Sequence, residues 1–299
     1  MRRHIFIVAC IAAAMAIVYA FAKAGDAPHA AISSRELPQP NVPELLPGSA
    51  DSTDYVLVRF WDALDFADPA SGSRDTAFIE RGFLRFAGML RQASSDSVRA
   101  AAVDTLLRRA SADSLALDLL SWVAEANLNA TDSPSYSEGA YIMFLKWLAQ
   151  SSSIDPAMRE RYAAQLSDMD RNRPGDIAAD FSYTSLNGTS STLLSLVAAH
   201  DSTLVVLYDP DCGDCHVLID LLGADTLLRD AVDSGTMAVM ALYPYDDTEL
   251  WRRTAGDIPS WWITARTDSP IEDEGTYYLP RTPRTYLLDR SGRILRVRE

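Results

Sequence analysis

Residues 207–222, "LYDPDCGDCHVLIDLL", hold two of the three cysteines in the 299-residue chain, two residues apart and followed by a histidine. Read as C-x-x-C, the stretch is a redox dithiol. Extended by His216, it matches the C-x-x-C-H attachment motif of a c-type haem. The flanking sequence weighs these readings. Before the cysteines, "TLVVLYD" (203–209) is β-branched and apolar, as a buried strand would be. After them, "DCGDCHVLIDLLGADTLLRDAVDSG" (211–235) reads as a helix. A cysteine at a helix start has unpaired N–H groups and the helix dipole to stabilise its thiolate, and just after a buried strand it is open to substrate. Cys212 takes that place, with Cys215 one turn further in and able to resolve a mixed disulfide. Haem attachment needs a second axial ligand or an open pocket, normally in helical surroundings, whereas this motif is set among strands. Zinc needs about four ligands, and outside the N-terminal segment only His29, His200 and His216 could supplement the two thiols. The dithiol is the favoured reading, without cofactor or metal, and His216 reads as a polar helix residue near it.

Compartment and composition agree with redox chemistry. "MRRHIFIVACIAAAMAIVYAFAKAG" opens on two arginines and runs apolar from Ile5 to Ala22, with small residues suited to cleavage near its end. Residues 1–24 are expected to be a signal peptide or, given the length of the run, a retained membrane anchor. Lipidation at Cys10 is a third reading. Each places the rest of the chain outside the cytoplasm, in a periplasm or cell envelope where disulfides form. Cys212 and Cys215 then remain as the only thiols of a cleaved chain. So short a loop would add little stability as a structural staple. The net charge of −14 offers nucleic acid no electrostatic footprint.

Outward from the motif, the texture changes twice. Residues 25–53, rich in Pro, Ala and Ser, read as a tether. Residues 54–173 show helical spacing: Val56, Phe60 and Leu64 in one segment, then Phe78, Phe83, Phe86 and Leu90 in the next. Further helices are expected across 113–130, 136–150 and 154–170. Pro174 and Gly175 in "RNRPGD" stop that pattern. Beyond them come a strand with the Asn187-Gly188 hairpin signal, a short helix at 192–200, the strand and helix around the cysteines, and a strand at 237–245. A helix at 246–256 and a closing hairpin around Ser291-Gly292 follow. The expectation is an α+β chain of two domains: a helical N-terminal domain (54–173), then an α/β domain (174–299).

Three segments of the second domain resemble the extracytoplasmic TlpA/ResA branch of thioredoxin-like proteins. "PGDIAADFSYTSLNG" (174–188) is similar to its entry hairpin, "LVVLYDPDCGDC" (204–215) to its active-site strand, and "LPRTPRTYLLDRSGRI" (279–294) to its cis-proline loop and last hairpin. The whole arrangement resembles an uncharacterised family of exported bacterial proteins in which a helical region precedes such a domain. The resemblance implies Cys212 as nucleophile, Cys215 as resolving thiol, Pro283 as the cis-proline and Thr282 as a backbone contact for substrate. The wide separation of Cys212 from Pro283 implies inserted structure. Two departures stand out. Val206 occupies the place, six residues before the first cysteine, where thioredoxins carry a buried acid. The last expected strand runs to the end of the sequence, so the usual terminal helix is expected to be lacking, with the helical domain covering one sheet face instead.

The function implied is an exported thiol–disulfide oxidoreductase, a reductase or isomerase, whose only redox group is the Cys212–Cys215 pair. Its expected partners are protein or small-molecule disulfides and a membrane thiol donor or other redox partner. The competing readings are a non-catalytic envelope binding protein with a vestigial thioredoxin fold and a thiol-dependent peroxide reductase.

Overall fold

A computed structural model of the chain describes residues 36–44, 49–271 and 276–298. The expected signal or anchor, 1–24, lies outside the described residues, as does much of the tether. Among the described residues no helix is long and apolar enough to cross a membrane. Contacts divide the chain into two compact units, one ending at Val123 and one beginning at Ala124.

The first unit is helical: α1 (Ser49–Arg59), α2 (Thr76–Gln92), α3 (Asp96–Ala110) and most of α4 (Ser114–Leu128). Side-chain caps start α2 and α3, with Asp75 accepting from the Phe78 N–H and Ser95 from the Val98 N–H. The apolar stripe of α2 buries Phe78, Ile79, Phe83, Phe86 and Leu90. Two expectations need correction. The first helix stops at Arg59, and the expected helical residues Phe60 and Leu64 lie in turns closed by Phe60 N–H to Leu57 and Leu64 N–H to Trp61 carbonyls. They are buried all the same, with Phe60 and Trp61 about equally far from the Phe86 ring at 6.0 and 6.1 Å. Nor is the tether wholly free: α1 begins inside it, and Leu37 is buried. A Cβ on Gly82 would come within 2.9 Å of Leu37 Cδ1 and 2.8 Å of Trp61 Cη2, so the missing side chain makes room for both.

The second unit contains α5 (Glu138–Leu148), α6 (Pro156–Met169) and one seven-stranded sheet. The strands are β1 (Ser182–Ser185), β2 (Ser190–Thr192), β3 (Ser202–Leu207), β4 (Met237–Tyr243), β5 (Ile263–Thr267), β6 (Arg284–Asp289) and β7 (Ile294–Arg298), in the order β2-β1-β5-β4-β3-β6-β7. β3, β4 and β5 run parallel, and the other pairings are antiparallel. Successive strand residues point to opposite faces. Val205, Leu207, Met240 and Leu242 enter one core, beneath the short helix α7 (Leu193–Ala198). Val206, Val239, Ala241 and Tyr243 enter the other, together with Cys215 and Ile219 of α8 (Gly213–Gly223) and Trp251 of α10 (Thr248–Thr254).

Three features depart from the expectation. The long helix after the cysteines is two, α8 and α9 (Thr226–Asp233), because Asp225 turns the chain and caps the second through the Leu227 and Leu228 N–H groups. Strand β5 was not anticipated from its short, half-polar "ITART"; it pairs with β4 and carries the β1–β2 hairpin into the sheet. Finally, the contact division falls within α4 and not at 173/174, so α5 and α6 group with the sheet. Polar ties explain this. The Asn172 side chain donates to the Thr276 carbonyl (2.6 Å) and accepts from the Ala179 N–H (2.8 Å), and Glu138 of α5 pairs with Arg284 of β6. β7 is the last described element, and on its side of α8 the sheet residues Leu204 and Leu287 stay half-buried along an open groove.

Candidate active site

The β3 strand delivers the chain to the sheet edge at Leu207, and Asp209 then shapes the turn by accepting the Asp211 N–H at 2.9 Å. Cys212 is the N-cap of α8 in extended conformation, and its sulfur accepts the Cys215 N–H at 3.1 Å. The helix dipole therefore points its positive end at Cys212 Sγ. Cys212 and Cys215 are joined as a disulfide, with their Cα atoms 5.2 Å apart. They differ sharply in access. Cys215 is fully buried, while Cys212 is partly open.

From the far side of the sequence, the loop before β6 arrives opposite. The Thr282–Pro283 peptide bond is cis. The Thr282 carbonyl oxygen lies 3.4 Å from Cys212 Sγ, a distance at which the reduced thiol donates a hydrogen bond to it. The four residues singled out from the sequence, Cys212, Cys215, Thr282 and Pro283, thus meet within one small region. His216 is exposed, and its ring is held by the turn before the helix. Its Nε2 stands 2.8 Å from the Pro210 carbonyl, which can only accept, so Nε2 carries the proton and braces the turn.

Val206 is fully buried, and the place of the missing acid is apolar. Cys215 instead borders a cavity of about 290 Å³ that also touches Asp209, His216, Asp220 and Asp257. Nearby, burial and then the charges of Asp209, Asp247 and Asp246 push the Tyr243 phenol up to about 12. A larger hollow of about 690 Å³ lies against Tyr183, Leu186 and Trp262, and among the described residues its lining holds no cysteine, histidine or carboxylate.

The sequence reading missed one cluster. Arg284, directly after the cis-proline, is buried, and its guanidinium meets both carboxylate oxygens of the buried Glu138 at 2.5 and 3.0 Å. Tyr286 accepts from its Nε at 2.7 Å, while Tyr136 and Arg173 donate to Glu138 at 2.8 and 3.2 Å. Burial is the largest single influence and works against the Arg284 charge. The hydrogen bond to Glu138 and the charge and hydrogen-bond contributions of Tyr286 and Glu138 together outweigh it and hold the pKa above its usual value. Arg281 stacks on the Tyr136 ring, 4.3 Å from its centre. The one legible signal was Glu138 opening a helix whose other charged residue, Lys146, lies in its last turn, "EGAYIMFLKWL"; the partner of Glu138 lies too far along the chain for any local pattern.

A crystal structure of a thioredoxin-like protein from Bacteroides caccae superposes with a TM-score of 0.77, covering 87% of this chain and 93% of that one at 22% identity. That likeness shows the fold. A conserved protein of unknown function from Bacteroides fragilis is 31% identical, covers 41% of this chain and 89% of its own, and superposes at a TM-score of 0.39. The thioredoxin domain of a thiol-disulfide oxidoreductase from Bacteroides vulgatus is 17% identical, covering 42% and 86%, with a TM-score of 0.37. No curated protein matches the chain. A family model described as "Domain of unknown function (DUF5106)" matches residues 20–172, just over half of the 299. The chain belongs to that family, and its C-terminal part has a thioredoxin-like fold.

Proposed function

We propose that the protein is an exported thiol–disulfide oxidoreductase working through Cys212 and Cys215, in the direction of reduction or isomerisation. The observation that carries this reading is the partly open Cys212 sulfur at a helix N-terminus, facing the Thr282 carbonyl beside a cis-proline at 3.4 Å. In the reduced protein the Cys212 thiolate attacks one sulfur of a substrate disulfide and forms a mixed disulfide, and the other substrate sulfur leaves as a thiolate. Cys215 gives up its proton toward the polar cavity and attacks Cys212 Sγ, releasing the second substrate thiolate. Two electrons pass to the substrate, and both of its sulfurs are protonated from water. A dithiol donor outside the chain, soluble or membrane-bound, returns the two electrons. The Thr282 backbone holds the substrate chain as an added strand. The apolar N-terminal run and its arginines support export to the periplasm or cell envelope.

The test is catalysed reduction of a protein disulfide such as that of insulin, with dithiothreitol as donor. The wild-type protein is expected to accelerate the reaction and Cys212→Ser to lose the effect. Equal rates for the two would sink the reading and leave a binding protein on a thioredoxin-like fold. Cys215→Ser is expected to accumulate a mixed disulfide on Cys212, which identifies the substrate by mass.

A further inference from the structure

The Thr282 carbonyl faces Cys212, and the next residue, Pro283, lines a groove of about 380 Å³. Leu218 and Leu222 of α8 form one wall of the groove, and Leu287 of β6 with Arg296 and Arg298 of β7 form the other. The register explains the second wall. Thr285 pairs with Arg298 and Leu287 with Arg296, whereas the intervening Tyr286 and the following Leu288 turn into the core on the opposite face. Paired residues share a face, so the two arginines stand in a row, roughly 7 Å apart. Both are exposed, and among the described residues neither has a hydrogen-bond or ion-pair partner. Within the described residues they are unmatched cations, the chain as a whole carries a net charge of −14, and the loop and helix start that carry the cysteines are acidic at Asp209, Asp211 and Asp214.

We propose that this groove receives the part of a substrate polypeptide that flanks its disulfide, and that it selects segments alternating apolar side chains with carboxylates. The inference rests on the oxidoreductase reading. Strand spacing sets the geometry. A chain held at Thr282 with its sulfur on Cys212 continues past Pro283, and the pairs Thr285–Arg298 and Leu287–Arg296 stand two and four strand residues further, about 7 and 13 Å away. Carboxylates two to four residues from the substrate cysteine therefore reach the arginines, while the residues between them point the opposite way and pack on Leu218 and Leu222. The charge pattern favours this occupant: a basic segment would meet Arg296 and Arg298 on β7 with like charge.

The experiment uses the purified protein and three disulfides: a cystine peptide with Asp and Glu alternating with Leu after the cysteine, the same peptide with Lys in the acidic places, and hydroxyethyl disulfide, which has no flank. Each peptide's kcat/KM is divided by the same enzyme's value on hydroxyethyl disulfide. The acidic peptide is expected to be favoured about tenfold over the basic one, the scale of two modest charge contacts, and the Arg296→Glu, Arg298→Glu double variant is expected to reverse the order. Equal ratios for the two peptides, with hydroxyethyl disulfide still reduced, would overturn the groove and leave the oxidoreductase reading standing. Failure to reduce any of the three would overturn that reading, and the groove is then decided by fluorescence anisotropy of the acidic peptide with its cysteine replaced by serine. Binding that the double variant loses supports the groove; no binding overturns it. A concentration-dependent dimer that the double variant abolishes would make a second copy the occupant, and would also overturn the proposal.

Discussion

The guanidinium of Arg284, one residue past the cis-proline, is gripped by both carboxylate oxygens of Glu138, which lies 146 positions earlier in the chain. This fork ties α5 to the loop that faces Cys212. It also uses up a cation that the sequence alone would place beside the dithiol, since Arg284 turns into the core and Arg281 lies over Tyr136.

Removing one partner of this pair leaves the other charged and buried. Glu138→Ala is therefore expected to lower stability by about 3–5 kcal/mol, read as a shift in the urea midpoint. Replacing both residues, as in Glu138→Leu with Arg284→Met, is expected to recover most of the loss, because apolar isosteres need no compensation. A double variant as unstable as the single one would show that packing, not the uncompensated charge, sets the cost.

The cysteines are unequal in exposure, and their chemistry should follow. Limiting iodoacetamide on the reduced protein is expected to label Cys212 and spare Cys215, which is fully buried. Peptide mapping that finds the label chiefly on Cys215 would reverse the roles assigned to the two.

The charges around the dithiol bear on the direction proposed for the couple. Asp209, Asp211 and Asp214 disfavour a thiolate, and Arg284 is spent on Glu138. A less stabilised thiolate means a less stabilised reduced form. The potential is expected nearer that of thioredoxin, roughly −270 mV, than that of a strong oxidant, around −120 mV. Asp214→Asn, which removes one negative charge from the first turn of α8, should move it upward by on the order of 10 mV. Equilibration with glutathione measures both, and a downward shift in the variant would contradict the electrostatic account.

Several tyrosines near the sheet resist ionisation, and this gives an alkaline signature. Burial chiefly raises the phenols of Tyr208, Tyr277 and Tyr286, and raises Tyr243 to about 12. Below pH 10 these groups are neutral in both folded and unfolded chains and their linkage contribution is fully present. As pH rises from about 10 toward 12, the unfolded chain ionises first, so stability falls. The melting temperature should decline over that window, with phenolate absorbance at 295 nm rising abruptly at unfolding. Smooth titration of every tyrosine near pH 10 without loss of structure would refute the burial argument.

Local patterns were enough to read the dithiol, the strand before it, the helix it caps and the proline loop, because each is written in neighbouring residues: a β-branched run, a C-x-x-C, a Thr-Pro step. The helix of 76–92 was legible for the same reason, through the apolar spacing of Phe78, Phe83, Phe86 and Leu90. Long-range pairing was not. "ITART" becomes β5 only because β4 and β1 offer it edges, Phe60 and Trp61 are buried without being helical, and Arg284 is buried because Glu138 reaches it from another element. The opening of the groove beside Pro283 belongs to the same class. The order of residues supplies two arginines two positions apart, but only the antiparallel register of β6 and β7 sets both on the face that the cysteines share. Side chains that satisfy one another across 146 positions leave no periodic trace, since the energy that selects them exists only once the chain has folded.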